Sequence, residues 1–156
     1  MGTPREGLGG QGRLNACPLC ETAGGEPVWR DARLRVVLPA EPDYPGFVRV
    51  VWNRHVAEMT DLEPADREHL MSVVWTVERA QREALGPDKV NLASLGNMVA
   101  HLHWHVIPRW RDDRNFPAAV WAQPAPGRDE DAARRRAAVL ERVPALVDAL
   151  RRALAG

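Results

Sequence analysis

The chain has 156 residues, 45% hydrophobic and 27% charged, a composition that suits one folded domain and excludes a fibre or a disordered tail. Twenty-one Lys+Arg balance 21 Asp+Glu, so no basic excess marks nucleic acid as a partner. No run approaches the ~18 apolar residues of a membrane helix, and MGTPREGLGGQGRLNA lacks the apolar stretch of a signal peptide. The expectation is a cytoplasmic protein without a membrane partner. In chain order, residues 1–16 hold five glycines and predict a flexible leader. Residues 17–125 read as one domain, with 126–156 as its C-terminal helical extension. Val28-Trp29 and Leu34–Leu38 are short apolar runs that predict strands. Pro39, Pro42 and Pro45-Gly46 mark a turn, and Phe47–Trp52, rich in β-branched and aromatic residues, predicts a third strand. Leu70, Val73, Val74, Val77, Ala80 and Ala84 then recur at helical spacing between Pro64, which suits a first turn, and the stop Gly86-Pro87. Such a helix is about 33 Å long, enough to cross a small sheet. Lys89–Leu95 and Met98–Ile107 predict two more strands joined at Gly96-Asn97. Pro108, Pro117, Pro124, Pro126 and Gly127 predict a loop, and Asp129–Ala155 an amphipathic helix kinked or split at Pro144. Strands in sequence without crossover helices predict an antiparallel α+β domain.

The run His101-Leu102-His103-Trp104-His105-Val106-Ile107 carries the strongest chemical signal. In a strand, side chains alternate, so His101, His103 and His105 share one face and Leu102, Trp104 and Val106 take the core. Three imidazoles in a row can act as nucleophile, proton donor and orienting group near neutral pH. Same-face positions lie ~6.6 Å apart, which strains any site placing all three on one ion. Solvated histidines on an exposed face would not need the apolar alternate set. Cys17-x-x-Cys20 leaves three readings open: free thiols, a redox pair, or half a zinc site. His69 reads as a solvated helix residue, Trp110 and Trp121 as packing residues or walls of a base pocket. Arg134-Arg135-Arg136, offset by Asp129, Glu130 and Asp131, reads as a solvated helix end.

The triad run resembles the His-φ-His-φ-His-φ-φ signature of the histidine triad (HIT) family of nucleotide hydrolases and transferases, in its bacterial branch with an N-terminal Cys-x-x-Cys. Gly96-Asn97-Met98-Val99 is similar to the family's Gly-Gln-x-Val, and Pro108-Arg109 follows the triad. Pro45-Gly46 and the strand ending at Asn53-Arg54-His55 resemble the family's Gly-strand-His segment. The resemblance implies a five-stranded antiparallel sheet crossed by the long helix, here with a C-terminal helix added, and pairing into a homodimer. It implies His103 as the nucleophile on the α-phosphorus of a small nucleotide, a purine nucleotide by expectation, forming a nucleotidyl-phosphohistidine that water or another acceptor resolves. His105 would contact the phosphate and protonate the leaving group, while His101 and His55 orient the working rings. Asn91, Asn97, Val99 and His105 form the implied nucleotide-binding set, with backbone N–H groups near Asn97 and Val99 on the phosphate oxygens. Members with the cysteine pair complete a zinc site with the histidine after the strand and the first triad histidine. Cys17, Cys20, His55 and His101 are therefore the implied ligands of a structural zinc; no organic cofactor is implied. The chain departs from the family in three places: Asn97 replaces the Gln, the spacing Asn91 to Gly96 is compressed, and Pro39 stands about where an acidic residue binds the ribose hydroxyls, with Glu41 and Asp43 nearby. The alternative function is a nucleotide- or partner-binding HIT protein with little turnover.

Overall fold

The computed structural model describes residues 17–155, and the leader expected over residues 1–16 lies outside them. The elements are α1 (Pro18–Glu21), β1 (Glu26–Arg30), β2 (Leu34–Leu38), β3 (Val48–Trp52), α2 (Pro64–Leu85), β4 (Lys89–Ala93), β5 (His103–Arg109), α3 (Asp129–Leu140) and α4 (Val143–Leu154). The strands form one antiparallel sheet in the order β1-β2-β3-β5-β4. Strand alternation gives this sheet two different faces. Leu34, Val36, Val48, Val50, Trp52 and Val106 join the core beneath α2. On the opposite face Val37 and Val51 pack with Leu19 of α1, and the alternate positions of β3 and β5 there are Arg49, His103 and His105.

The long helix follows its sequence pattern. Pro64 occupies the first turn, and Gly86, at φ 63°, terminates the helix in the left-handed conformation that side chains disfavour. Leu70, Val73, Val74, Val77 and Ala80 are buried as expected, and Gln81 joins them. The Gln81 amide donates to the carbonyls of Gly46 and Val106, each at 2.8 Å, tying α2 to the turn before β3 and to β5. Both of its donor hydrogens are thus used, while its side-chain oxygen is buried without a partner among the described residues.

Two expectations change, at the start of β5 and at His69, and the expected split of the last stretch is met. The strand expected from Met98 begins at His103, because the Leu102 N–H donates to the Val56 carbonyl (2.7 Å) and its carbonyl accepts from Trp52 (3.1 Å). The stretch Asp129–Ala155 is two helices, α3 and α4, with Pro144 in the first turn of α4, where its missing N–H breaks no helical bond. His69, expected to be solvated, is half-buried, its Nε2 lying 2.6 Å from Oδ2 of Asp31, whose Oδ1 accepts from the Leu34 N–H in the turn before β2. Leu146 and Leu150 of α4 are fully buried against α2 and β1, and Arg142 donates to the Leu85 carbonyl at 2.8 Å. Among the described residues no helix is long and apolar enough to cross a membrane.

Candidate active site

β5 places His103 and His105 side by side on the face away from α2. Their rings meet edge to face with centroids 4.8 Å apart. The His103 Nδ1–H donates to the His101 carbonyl at 2.5 Å, which fixes the tautomer and leaves Nε2 with its lone pair. His105 is held edge-on by Phe47 (5.5 Å) and Trp121 (5.2 Å), and its Nδ1 is buried with no hydrogen-bond partner. Burial is the main reason the His103 pKa falls below its ordinary value, and the Arg49 charge adds to it. Burial, then the charges of His103 and Arg49, push His105 down to about 3. Both rings are therefore neutral at pH 7, the state in which an imidazole nitrogen is nucleophilic.

A cleft of about 520 Å³ covers this pair. Asn97 and Val99 line it from the loop before β5, Trp121 from the proline-rich loop, and Pro18, Leu19 and Thr22 from the cysteine segment. Among the described residues no acidic one lines it. Asn91 stands apart: it lines a neighbouring cleft of about 500 Å³, with Trp121 as the shared wall. Its side-chain oxygen accepts from Arg109 at 2.9 Å, and Arg109 is itself held by the Asp113 carboxylate at 2.7 and 3.0 Å. Trp110 is buried in the core, whereas Trp121 is half exposed at the cleft.

His101 lies outside the strand and turns away from His103 and His105. Its Nε2 donates to the Trp52 carbonyl at 2.6 Å, leaving Nδ1 as an acceptor 3.4 Å from the Cys17 sulfur and 3.5 Å from the Cys20 sulfur. His55 Nδ1 lies 3.4 Å from the Cys20 sulfur, and the four donor atoms all fall within 4.8 Å of one another. Bonds of about 2.3 Å to sulfur and about 2.05 Å to nitrogen at tetrahedral angles put S and N about 3.5 Å apart, so this group fits a zinc ion. The carbonyl bonded to the far side of the His101 ring is the usual support of a metal-ligating histidine. Arg35 secures the cysteine turn by donating to the carbonyls of Leu19 (2.5 Å) and Ala23 (2.9 Å).

The HIT domain family model matches residues 25–112. The chain belongs to the HIT family. The AP-4-A phosphorylase of Mycobacterium tuberculosis (strain H37Rv) is 33% identical to this HIT chain over 105 residues, which are 64% of the chain and 54% of that protein. The chain thus spans about half the length of the curated relatives it matches. A histidine triad protein from Bradyrhizobium japonicum superposes with a TM-score of 0.60 at 27% identity, over 78% of this chain and 92% of that one. A zinc-bound histidine triad family protein from Mycobacterium smegmatis gives a TM-score of 0.53 at 26% identity, over 83% of this chain and 97% of that one.

Two residues of this HIT site escape a reading of the sequence. Arg49 sits in the cleft at a strand position flanked by core valines, a pattern that signals only an outward-facing residue. Arg35 has the same signature on β2. The neutral His105 also gives a measurable pH dependence. An unfolded histidine binds a proton near pH ~6.5, whereas the folded one resists to about 3. The unfolded state therefore takes up more protons in that interval, and stability falls as pH drops from 6.5 toward 3. The drop in urea midpoint between pH 7.5 and pH 5 is expected to be smaller in His105→Gln than in the wild type; equal drops would refute the assignment.

Proposed function

We propose that the chain is a nucleotide hydrolase or nucleotidyl transferase acting at the α-phosphate through a nucleotidyl-phosphohistidine on His103. The observation that carries this reading is the bond from His103 Nδ1–H to the His101 carbonyl, which leaves Nε2 as a neutral nucleophile lining the cleft. In the first step Nε2 attacks the α-phosphorus, the N–P bond forms, and the P–O bond to the leaving group breaks with its electron pair going to oxygen. The N–H of a neutral His105 donates a hydrogen bond to that oxygen as charge develops on it, and the departing oxygen takes its proton from solvent. Water or another acceptor then attacks phosphorus, the N–P bond breaks, and the imidazole returns to its starting state. Asn97 and Val99 stand at the cleft mouth where backbone N–H groups meet the non-bridging oxygens, and Leu19, Leu95, Met98 and Trp121 supply apolar surface for a purine base. The bond from Arg109 to Asn91 supports a role for Asn91 in holding the wall of the neighbouring cleft, beside its expected place in the nucleotide-binding set.

The relative's name makes AP-4-A the first substrate to test, followed by other dinucleoside polyphosphates and nucleoside phosphoramidates. With an α-labelled substrate that is cleaved, the label is expected on a peptide containing His103; turnover without any covalent label overturns the mechanism. A zinc ion on Cys17, Cys20, His55 and His101 would act structurally, because four protein ligands leave no open position for chemistry. Reduced thiols at that site suit the cytoplasm. The packing of α4 on α2 supports reading residues 126–156 as part of the same domain as 17–125. A homodimer is supported by β4, an edge strand carrying exposed Leu92, and by Trp75 on α2, half exposed one turn before the cleft residue Glu78. Light scattering is expected to give twice the 17.4 kDa chain mass, and a monomer at micromolar concentration would refute pairing.

A further inference from the structure

We propose that Arg49 is an anion subsite of the cleft that grips a phosphate of the substrate beside His105. This deepens the proposed function and rests on it. Arg49 lies on β3, the middle strand of the sheet, directly opposite His105 in the β3–β5 register. Paired residues on one face carry Cβ atoms about 5 Å apart, so the guanidinium and the His105 ring share the same part of the cleft. Its neighbours in sequence, Val48 and Val50, are completely buried in the core, so the strand holds the arginine at this place.

The side chain is poorly satisfied by the protein. One terminal nitrogen donates to the Gly24 carbonyl at 3.2 Å, while Nε is buried without a partner. Among the described residues no carboxylate lies within 4.0 Å of it, whereas the other buried arginine, Arg109, is held by Asp113 in a two-pronged pair. Among the described residues no acidic one lines the cleft, and Glu41 acts on Arg49 only through space, without an ion-pair contact. A half-buried cation without a contacting counter-ion is costly, and a fork of N–H donors matches the oxygens of phosphate. The unpartnered Nδ1 of His105, across the register from the unpartnered Nε of Arg49, is a second, independent sign that a polar ligand completes this spot.

The test compares equilibrium binding of four nucleoside monophosphates with that of their parent nucleosides. The full chain and the variants Arg49→Met and Arg49→Lys are measured by calorimetry at two salt concentrations. The wild type is expected to bind at least one monophosphate tighter than its nucleoside. Arg49→Met is expected to weaken that monophosphate about 10- to 100-fold, the cost of a charge-assisted contact, and to leave the nucleoside within about twofold. Arg49→Lys should recover part of the loss and keep the salt dependence that Arg49→Met loses. The melting temperature of Arg49→Met should not fall, because the arginine stabilises little in the free protein. Equal weakening of nucleotide and nucleoside, a lower melting temperature with unchanged phosphate preference, or no phosphate preference in the wild type would each overturn the assignment. The readout needs no turnover. Phosphate-dependent binding without a label on His103 sinks the proposed chemistry alone, and a label on His103 without an effect of Arg49→Met on phosphate binding sinks the subsite alone.

Discussion

His103→Ala is expected to lose at least about 10³-fold in kcat while still binding a nucleoside monophosphate, because the covalent route disappears and the cleft walls remain. The argument rests on one hydrogen bond and one burial effect. The His101 carbonyl takes the Nδ1 proton, so Nε2 keeps its lone pair, and burial keeps the ring neutral at pH 7. Among the described residues lining the cleft the other imidazole is His105, whose Nδ1 has no carbonyl to orient the ring, and the remaining polar side chains are those of Thr22, Asn97 and Arg49. His105→Ala should be less damaging for substrates whose leaving group departs without a proton, since an acid assists only a poor leaving group. His101→Ala differs in kind, because its side chain meets the cysteine pair and the Trp52 carbonyl rather than the cleft. Single-turnover rates on one cleaved substrate set the order. Near-wild-type turnover by His103→Ala would mean that the histidines bind rather than attack.

What the sequence reveals of this molecule follows how local the responsible interaction is. The long helix is legible to the residue because periodicity, Pro64 and Gly86 all act within the segment itself. The sheet is legible in its strands, and the HIT resemblance supplies their order. The start of β5 is not, since alternation at His101 and Leu102 reads as strand while the Leu102 N–H is bound to Val56, a partner 46 positions away. That displacement separates His101 from the other two histidines and sends it to the cysteines. Gln81 looks solvated for the same reason: its two acceptors, at Gly46 and Val106, come from different elements. Arg49 shows the limit most clearly. An arginine between valines on a strand predicts a face, but whether that face meets water or a cleft depends on α1 and the loop before β5 folding over it.

Cys17→Ser and Cys20→Ser are expected to abolish zinc binding and to lower the melting temperature by roughly 10 °C or more. About one zinc per chain should be found in the purified protein and lost from each variant. The size follows from coupling. Structural zinc sites bind with apparent free energies of about 10–16 kcal/mol in small peptides, and that energy is folding energy where the site is absent from the unfolded chain. At about 2–4 °C per kcal/mol for a chain of this size, a small share of it produces the shift. The segment concerned has little else to hold it: α1 is a single turn of four residues, anchored by buried Leu19 and by Arg35 on the carbonyls of Leu19 and of Ala23 just beyond it. His55 follows β3 and His101 precedes β5, so the ion would join the cysteine turn to both central strands. Because Pro18, Leu19 and Thr22 form one wall of the cleft, removing zinc should raise KM more than it lowers kcat on a cleaved substrate. Chelated wild type should reproduce both effects, and readdition of zinc should reverse them. A wild-type preparation without metal that melts no lower than one with zinc added would end the structural role of the site.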